Sequence, residues 1–92
     1  MRVALTARFE RDVTALSDQR RAALFDAVRA LSTAVGAPHL HAGLGIRKIH
    51  RSGIWEARVG LGLRLVFTVE ADTATLVRVG GHDEVRRYLR SL

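Results

Sequence analysis

Ser52-Gly-Ile-Trp-Glu-Ala-Arg-Val59 is followed, after Gly60-Leu-Gly62, by Leu63-Arg-Leu-Val-Phe-Thr-Val-Glu70. Both stretches alternate. Successive side chains of a strand point to opposite faces, so Trp55, Ala57 and Val59 fall on one side and Ile54, Glu56 and Arg58 on the other. In the second stretch Leu63, Leu65, Phe67 and Val69 form an apolar row opposite Arg64, Val66, Thr68 and Glu70. Ser52-Gly53 and Gly60–Gly62 supply the turns, so the segment predicts a meander of short antiparallel strands.

Outward from this hairpin the same logic gives the rest of the chain. Ile46–Arg51 precedes it as a strand and Thr75–Val79 follows it, with Ala71-Asp72 as the turn and Gly80-Gly81 as the stop. His82-Asp-Glu84 opens a last helix with Val85, Leu89 and Leu92 on one face and Arg86, Arg87 and Arg90 on another. At the other end, residues 1–5 read as a first strand with Val3 and Leu5 on one side. Thr6 is an N-cap, and Phe9, Val13 and Leu16 then recur at helical spacing, with Arg8, Glu10, Arg11 and Asp12 on the other faces. Ser17-Asp18 restarts a helix whose apolar stripe is Leu24, Phe25, Val28 and Leu31, and Gly36-Ala-Pro38 ends it. The order is βααββββα. The expected class is α+β, with a helical hairpin packed on one face of a mainly antiparallel, twisted sheet and a short C-terminal helix.

The 92 residues are expected to form one domain, 1–92, with no linker or repeat. An apolar content of 48% supplies a core and excludes a disordered chain. No apolar run approaches the roughly 20 residues of a membrane span, and the apolar start is too short for a signal peptide. The absence of cysteine fits a cytoplasmic protein. Fifteen Lys and Arg against nine Asp and Glu give a net charge of +6, and fourteen of those cations are arginine. Arginine grips phosphate with a planar fork, so an anionic partner is expected, either RNA or an acidic protein.

The alternation carries Glu56, Arg58 and Arg64 to the face away from the helical hairpin, and His82 leans over that face from the end of the last strand. A concave basic patch with one acid and one imidazole suits a phosphodiester better than an apolar ligand. Each member also has an ordinary reading: Arg64 as a solvated charge, Glu56 and Arg58 as a strand pair, His82 as a surface or capping residue. Arg47, Lys48 and Arg51 make the strand before the hairpin basic on both faces, either as a solvated edge or as a phosphate track. With Arg78 on the last strand they are the candidate RNA-binding residues. Trp55 belongs to the core row rather than to a base-stacking site, and Tyr88 packs or sits half exposed. His39 and His41 have a spacing zinc can use, but no third ligand is spaced to help, and no metal site is assigned.

The chain resembles toxins of the RelE/ParE superfamily from bacterial type II toxin–antitoxin pairs. Ser52-Gly-Ile-Trp55 and Arg64-Leu-Val-Phe67 are similar to Ser-Gly-Phe-Trp and Arg-Leu-Val-Tyr segments of the YoeB branch, and the spacing from Arg64 to His82 matches that of an arginine and a histidine which are catalytic there. Val79-Gly-Gly-His82 takes the place of a Val-Gly-x-Arg segment of the RelE branch, and Arg58 falls near a catalytic lysine of that branch. The chain departs from the YoeB pattern at Asp83, where that branch has tyrosine, and at Gly43-Leu-Gly45, where it has a glutamate. The resemblance implies a ribosome-associated mRNA endoribonuclease that needs no cofactor. The substrate's own 2′-hydroxyl attacks, Arg64 and Arg58 hold the phosphate, His82 donates the proton and Glu56 stands as the base. It also implies an acidic antitoxin as partner, a possible toxin–antitoxin heterotetramer, and no membrane partner. Two alternatives remain open: a ParE-like inhibitor that binds DNA gyrase without cutting, and a catalytically degenerate domain that binds RNA or a partner.

Overall fold

The computed structural model describes residues 2–34, 45–60 and 62–92. Its elements run β1 (Arg2–Leu5), α1 (Ala7–Thr14), α2 (Asp18–Ala34), β2 (Arg47–His50), β3 (Ile54–Val59), β4 (Leu63–Glu70), β5 (Thr73–Gly80) and α3 (His82–Arg90). The strands form a sheet in the order β1-β5-β4-β3-β2. β1 runs parallel to β5 and every other pair is antiparallel. This is the expected α+β arrangement. No helix among the described residues is long and apolar enough to cross a membrane.

The hairpin register follows the alternation in the sequence: Trp55 pairs with Phe67, Ala57 with Leu65 and Val59 with Leu63. That row is buried beneath α1 and α2, against Phe9, Leu24 and Leu31. Full burial of a side chain such as Leu24 or Phe67 stabilises the fold by about 1.5–3 kcal/mol. Trp55 packs at the margin of this core. Thr6 acts as the expected cap; its hydroxyl accepts from Phe9 N at 3.1 Å and donates to Leu76 O at 3.0 Å, which ties α1 to β5. Ser17 caps α2 in the same way, through Arg20 N.

Two expectations are corrected here. In α2 the buried stripe is Leu24, Ala27 and Leu31, and Phe25 is 51% exposed. At 100° per residue Phe25 lies about a third of a turn off the line that Leu24 and Leu31 define, whereas Ala27 lies within about 60° of it, on the other side. On β1, Val3 packs against the core but Leu5 is exposed. The sequence leaves the side taken by the C-terminal helix open. α3 crosses the opposite side, where Val85 is buried with Ile54 and Val66, and Ile49, Val77, Tyr88 and Leu89 pack around them. Ile54 and Val66 alternate with charged residues on that face, so it carried enough apolar surface to hold a short helix.

A bulge at the β4–β5 pairing has the largest local consequence. Val66 pairs with Arg78 but Phe67 pairs with Leu76, so Val77 is an extra residue. Val77 turns under α3 and Arg78 lies beside α1. β1 ends opposite Leu76, which leaves the following edge of β5 without a neighbouring strand. Asp12 of α1 fills the gap. Its carboxylate accepts from Val79 N at 3.1 Å and from Arg78 Nε at 2.7 Å, and pairs with Arg8 at 3.4 Å. An unpaired edge N–H and a half-buried guanidinium would both cost free energy. Asp12→Asn is therefore expected to lower stability by about 1–2 kcal/mol. Thermal unfolding checks this, since about 1 kcal/mol shifts the midpoint of a domain this size by roughly 4–8 °C; an unchanged midpoint would show that the edge does not need the carboxylate.

Candidate active site

Glu56 is the centre of the polar side of the hairpin. β3 points it to the face opposite the main core, between Arg47 of β2, its cross-strand partner, and β4. It is 4% exposed, the buried charged residue in an otherwise apolar set. Buried charge requires a partner, and Glu56 has two. Arg47 Nε donates to Glu56 Oε1 at 3.2 Å, and Arg64 Nε lies 3.6 Å from the same oxygen. Arg47 keeps 67% of its side chain exposed, whereas Arg64 keeps 24% and donates Nη1 to Leu63 O at 3.2 Å. Arg64 is thus fixed from two sides.

Arg58 stands directly opposite Arg64 across the β3–β4 pairing. Two like charges in that position repel, and the neighbouring carboxylate of Glu56 offsets the repulsion. Arg47, Arg58 and Arg64 line a cleft of about 400 Å³ together with Gly45, Ile46 and Glu56. Gly45 has φ +57°, and a Cβ there would overlap the Arg58 guanidinium. The backbone at Gly45 is therefore a wall against which Arg58 lies, and any side chain at that position would push it away.

A second cleft of about 300 Å³ adjoins the first, sharing Arg47 and Glu56. His82, Lys48 and Arg86 add its polar groups, over a floor that includes Ile49, Val85 and Leu89. His82 is the first residue of α3 and is exposed. The helix start is held by Glu84, whose Oε2 accepts from Gly81 N at 3.1 Å. Gly80, expected to break the strand, is instead its last residue and pairs with Arg64. A Cβ on Gly80 would displace the Glu84 carboxylate from the Gly81 N–H that it caps.

Of the residues proposed from sequence, Arg64, Glu56, Arg58, His82, Arg47 and Lys48 line these two clefts. Arg51 and Arg78 do not. β2 ends at His50, whose Nδ1 accepts from Ser52 N at 3.1 Å, and Arg51 sits exposed in the turn. Arg78 is held by Asp12 on the far side of the bulge. His39 and His41 lie outside the described residues. Arg86 and Gly45 were not anticipated. Arg86 follows His82 by four residues on α3, the spacing that places two side chains on one helix face, and that signal was present in the sequence.

Three guanidiniums beside one buried carboxylate can hold a phosphate and offset charge that develops on it. An imidazole in the adjoining cleft can deliver a proton. No protein-family model matches the sequence, and no curated protein matches it. Solved structures do match. A copper-bound mutant toxin from Helicobacter pylori aligns with a TM-score of 0.70 at 20% identity, covering 92% of this chain and 98% of that one. The RelB–RelE antitoxin–toxin complex from Methanococcus jannaschii gives a TM-score of 0.70 at 20% identity, covering 92% and 96%. The chain has the fold of the RelE-type toxins. The YoeB/ParE toxin from Agrobacterium tumefaciens matches the same RelE-type fold at a TM-score of 0.67 and 22% identity, covering 89% of this chain and 99% of that one. At such identities it is the RelE-type fold that is shared, and the arrangement of Arg47, Glu56, Arg58, Arg64 and His82 is a property of this chain.

Proposed function

We propose that this protein is the toxin component of a type II toxin–antitoxin system and a metal-independent endoribonuclease that cuts mRNA on the ribosome. The observation that carries the reading is Arg64, fixed beside buried Glu56 and opposite Arg58, next to a cleft that holds His82. Its occurrence in a RelE-type fold supports the same reading.

Arg64 and Arg58 hold the scissile phosphate, and Arg47 and Lys48 extend the positive surface along the strand. The ribose 2′-oxygen attacks phosphorus and its proton passes to solvent. The bond from phosphorus to the 5′-oxygen breaks, and protonated His82 supplies the proton that the 5′-oxygen needs. The products are a 2′,3′-cyclic phosphate and a 5′-hydroxyl. Glu56, expected from the sequence to serve as base, takes a different part. Its Oε1 is engaged by Arg47 and lies beside Arg64, and it is buried. Glu56 is a positioning residue that orients two guanidiniums. An acidic antitoxin is the proposed partner, in a toxin–antitoxin heterotetramer, and the cytoplasm the proposed location. Exposed Phe25 on α2 and Leu5 on the edge strand β1 offer that partner apolar anchors.

A cell-free translation mix tests the reading. Added protein is expected to truncate the message. Intact message with cut DNA trapped on gyrase would select the gyrase inhibitor instead, and intact message with RNA retained on the protein would select a binding domain without chemistry.

A further inference from the structure

α3 separates two basic clefts. His82, Val85, Arg86 and Leu89 line the one described above, whereas Glu84, Arg87, Tyr88 and Ser91 line another. Each set follows the i, i+3, i+4, i+7 spacing of a single helix face. The second cleft consists of two adjoining cavities of about 490 and 320 Å³ that share Arg8, Arg78, Glu84 and Arg87. The larger also takes in Arg20. Four elements therefore send a guanidinium to one place: α1, α2, β5 and α3.

The charges there are unbalanced. Four guanidiniums face the carboxylates of Asp12 and Glu84. Both carboxylates are committed within the protein: Asp12 to Arg78, Val79 N and Arg8, and Glu84 to Gly81 N. Arg78 is 18% exposed and bonded to Asp12 through Nε, so its guanidinium is fixed while both Nη groups remain uncommitted among the described residues. The guanidiniums of Arg20 and Arg87 have no partner among the described residues. Gly62, Gly80 and Gly81 form part of the wall, where no side chain keeps a ligand from the backbone.

We propose that this cleft is a second phosphate-binding site, which holds the RNA backbone away from the scissile nucleotide after the strand has crossed α3. The inference rests on the reading that the protein acts on RNA. The lining favours a nucleic-acid backbone over an acidic peptide. Peptide segments bind through apolar anchors in grooves, and the large apolar side chains that are exposed, Leu5, Phe25 and Leu92, lie outside this cleft, while of its own apolar side chains Leu63 and Val79 are buried and Leu16 and Tyr88 half-buried. Backbone phosphates ask only for fixed and flexible cations side by side, which Arg78 and the Arg20–Arg87 pair provide.

The test uses a fluorescent single-stranded RNA with 2′-O-methyl riboses, which binds but offers no attacking hydroxyl, so the readout is independent of cutting. Binding is measured by anisotropy against salt concentration for the wild-type protein and for Arg20→Ala/Arg87→Ala. Both side chains are exposed and make no hydrogen bond or ion pair with the described residues, and the backbone cap at Arg20 N is kept, so the variant is expected to unfold like wild type. Its affinity is expected to fall about tenfold near ~0.1 M salt, and the slope of log K against log salt to drop by about 1–1.5, the loss of two single-strand phosphate contacts. Arg64→Ala should lower affinity by a separate factor that multiplies with this one. Unchanged affinity and slope in the double variant would overturn the proposal, as would a wild-type protein that does not bind this RNA. So would a poly-glutamate peptide that binds wild type more tightly than the RNA and loses affinity in the double variant, since the cleft would then belong to an acidic protein segment. A protein that binds as expected here yet leaves message intact in translation would keep the second site and lose the nuclease reading.

Discussion

Arg64→Ala is expected to slow message cutting by about 10²–10³-fold, the loss typical when one fixed donor to a developing negative charge is removed. Arg64 is the guanidinium of the first cleft that the fold holds most firmly, with Nε beside Glu56 and Nη1 on Leu63 O. A donor held in place before substrate arrives needs no reorganisation as charge builds on phosphorus. Arg58 and Arg47 are more exposed and cannot take its position without leaving their own strands. The fold itself should persist, because Glu56 keeps its bond to Arg47. Rates of cutting in a translating extract, together with a thermal unfolding curve, check this; a folded Arg64→Ala protein that cuts within about threefold of wild type would remove Arg64 from the mechanism.

Glu56 separates two roles that the sequence leaves joined. As an anchor, its work is to hold Arg47 and Arg64 by charge and shape. As a base, its work is to take a proton. Glu56→Gln keeps the shape and an acceptor oxygen, so the anchor role predicts a fall in cutting of less than about tenfold, whereas loss of a general base costs about 10²–10⁴-fold. Glu56→Ala removes the anchor altogether. It leaves the half-buried Arg64 guanidinium facing Arg47 and Arg58 with no carboxylate between them. Breaking a fully buried pair costs about 3–5 kcal/mol; with Arg47 largely exposed, a loss of about 2–3 kcal/mol in stability is expected, with cutting reduced about as far as in Arg64→Ala. Denaturant titration of both variants beside their cutting rates decides the matter. Full stability in Glu56→Ala would mean the two arginines do not depend on it, and a collapse of cutting in Glu56→Gln at normal stability would return the base role to Glu56.

The architecture was legible because the strongest signals in the chain are periodic. Two strands that alternate without a fault, two glycine turns and Thr6 before a helical spacing lead directly to the β3–β4 register and the α1 cap. The neighbourhood of Glu56, Arg58 and Arg64 followed from the same alternation, since residues two apart on paired strands must share a face. What stayed hidden depends on features without a local signature. The bulge at Val77 shifts β5 by one residue, and Arg78 is taken up by Asp12 of α1. The placement of α3 over Ile54 and Val66 depends on how much apolar surface the second face accumulates across four strands. Glu56 is buried although alternation alone gives a strand residue on the charged face no reason to be, and its role is the one the proposed mechanism reassigns. Asp12 reads as a solvated helix residue until β1 is seen to end early and expose the β5 edge.

The central claim is that the Arg64 and His82 clefts promote attack by the RNA's own 2′-hydroxyl, and the chemistry of the new RNA ends tests it most directly. Message recovered from a translating extract with the wild-type protein should carry 5′-hydroxyl ends on the downstream fragments and 2′,3′-cyclic phosphates on the upstream ones, and a single 2′-O-methyl group at the cut nucleotide should leave the message whole. New ends bearing 5′-phosphates, or cutting that continues through the methylated nucleotide, would contradict the account.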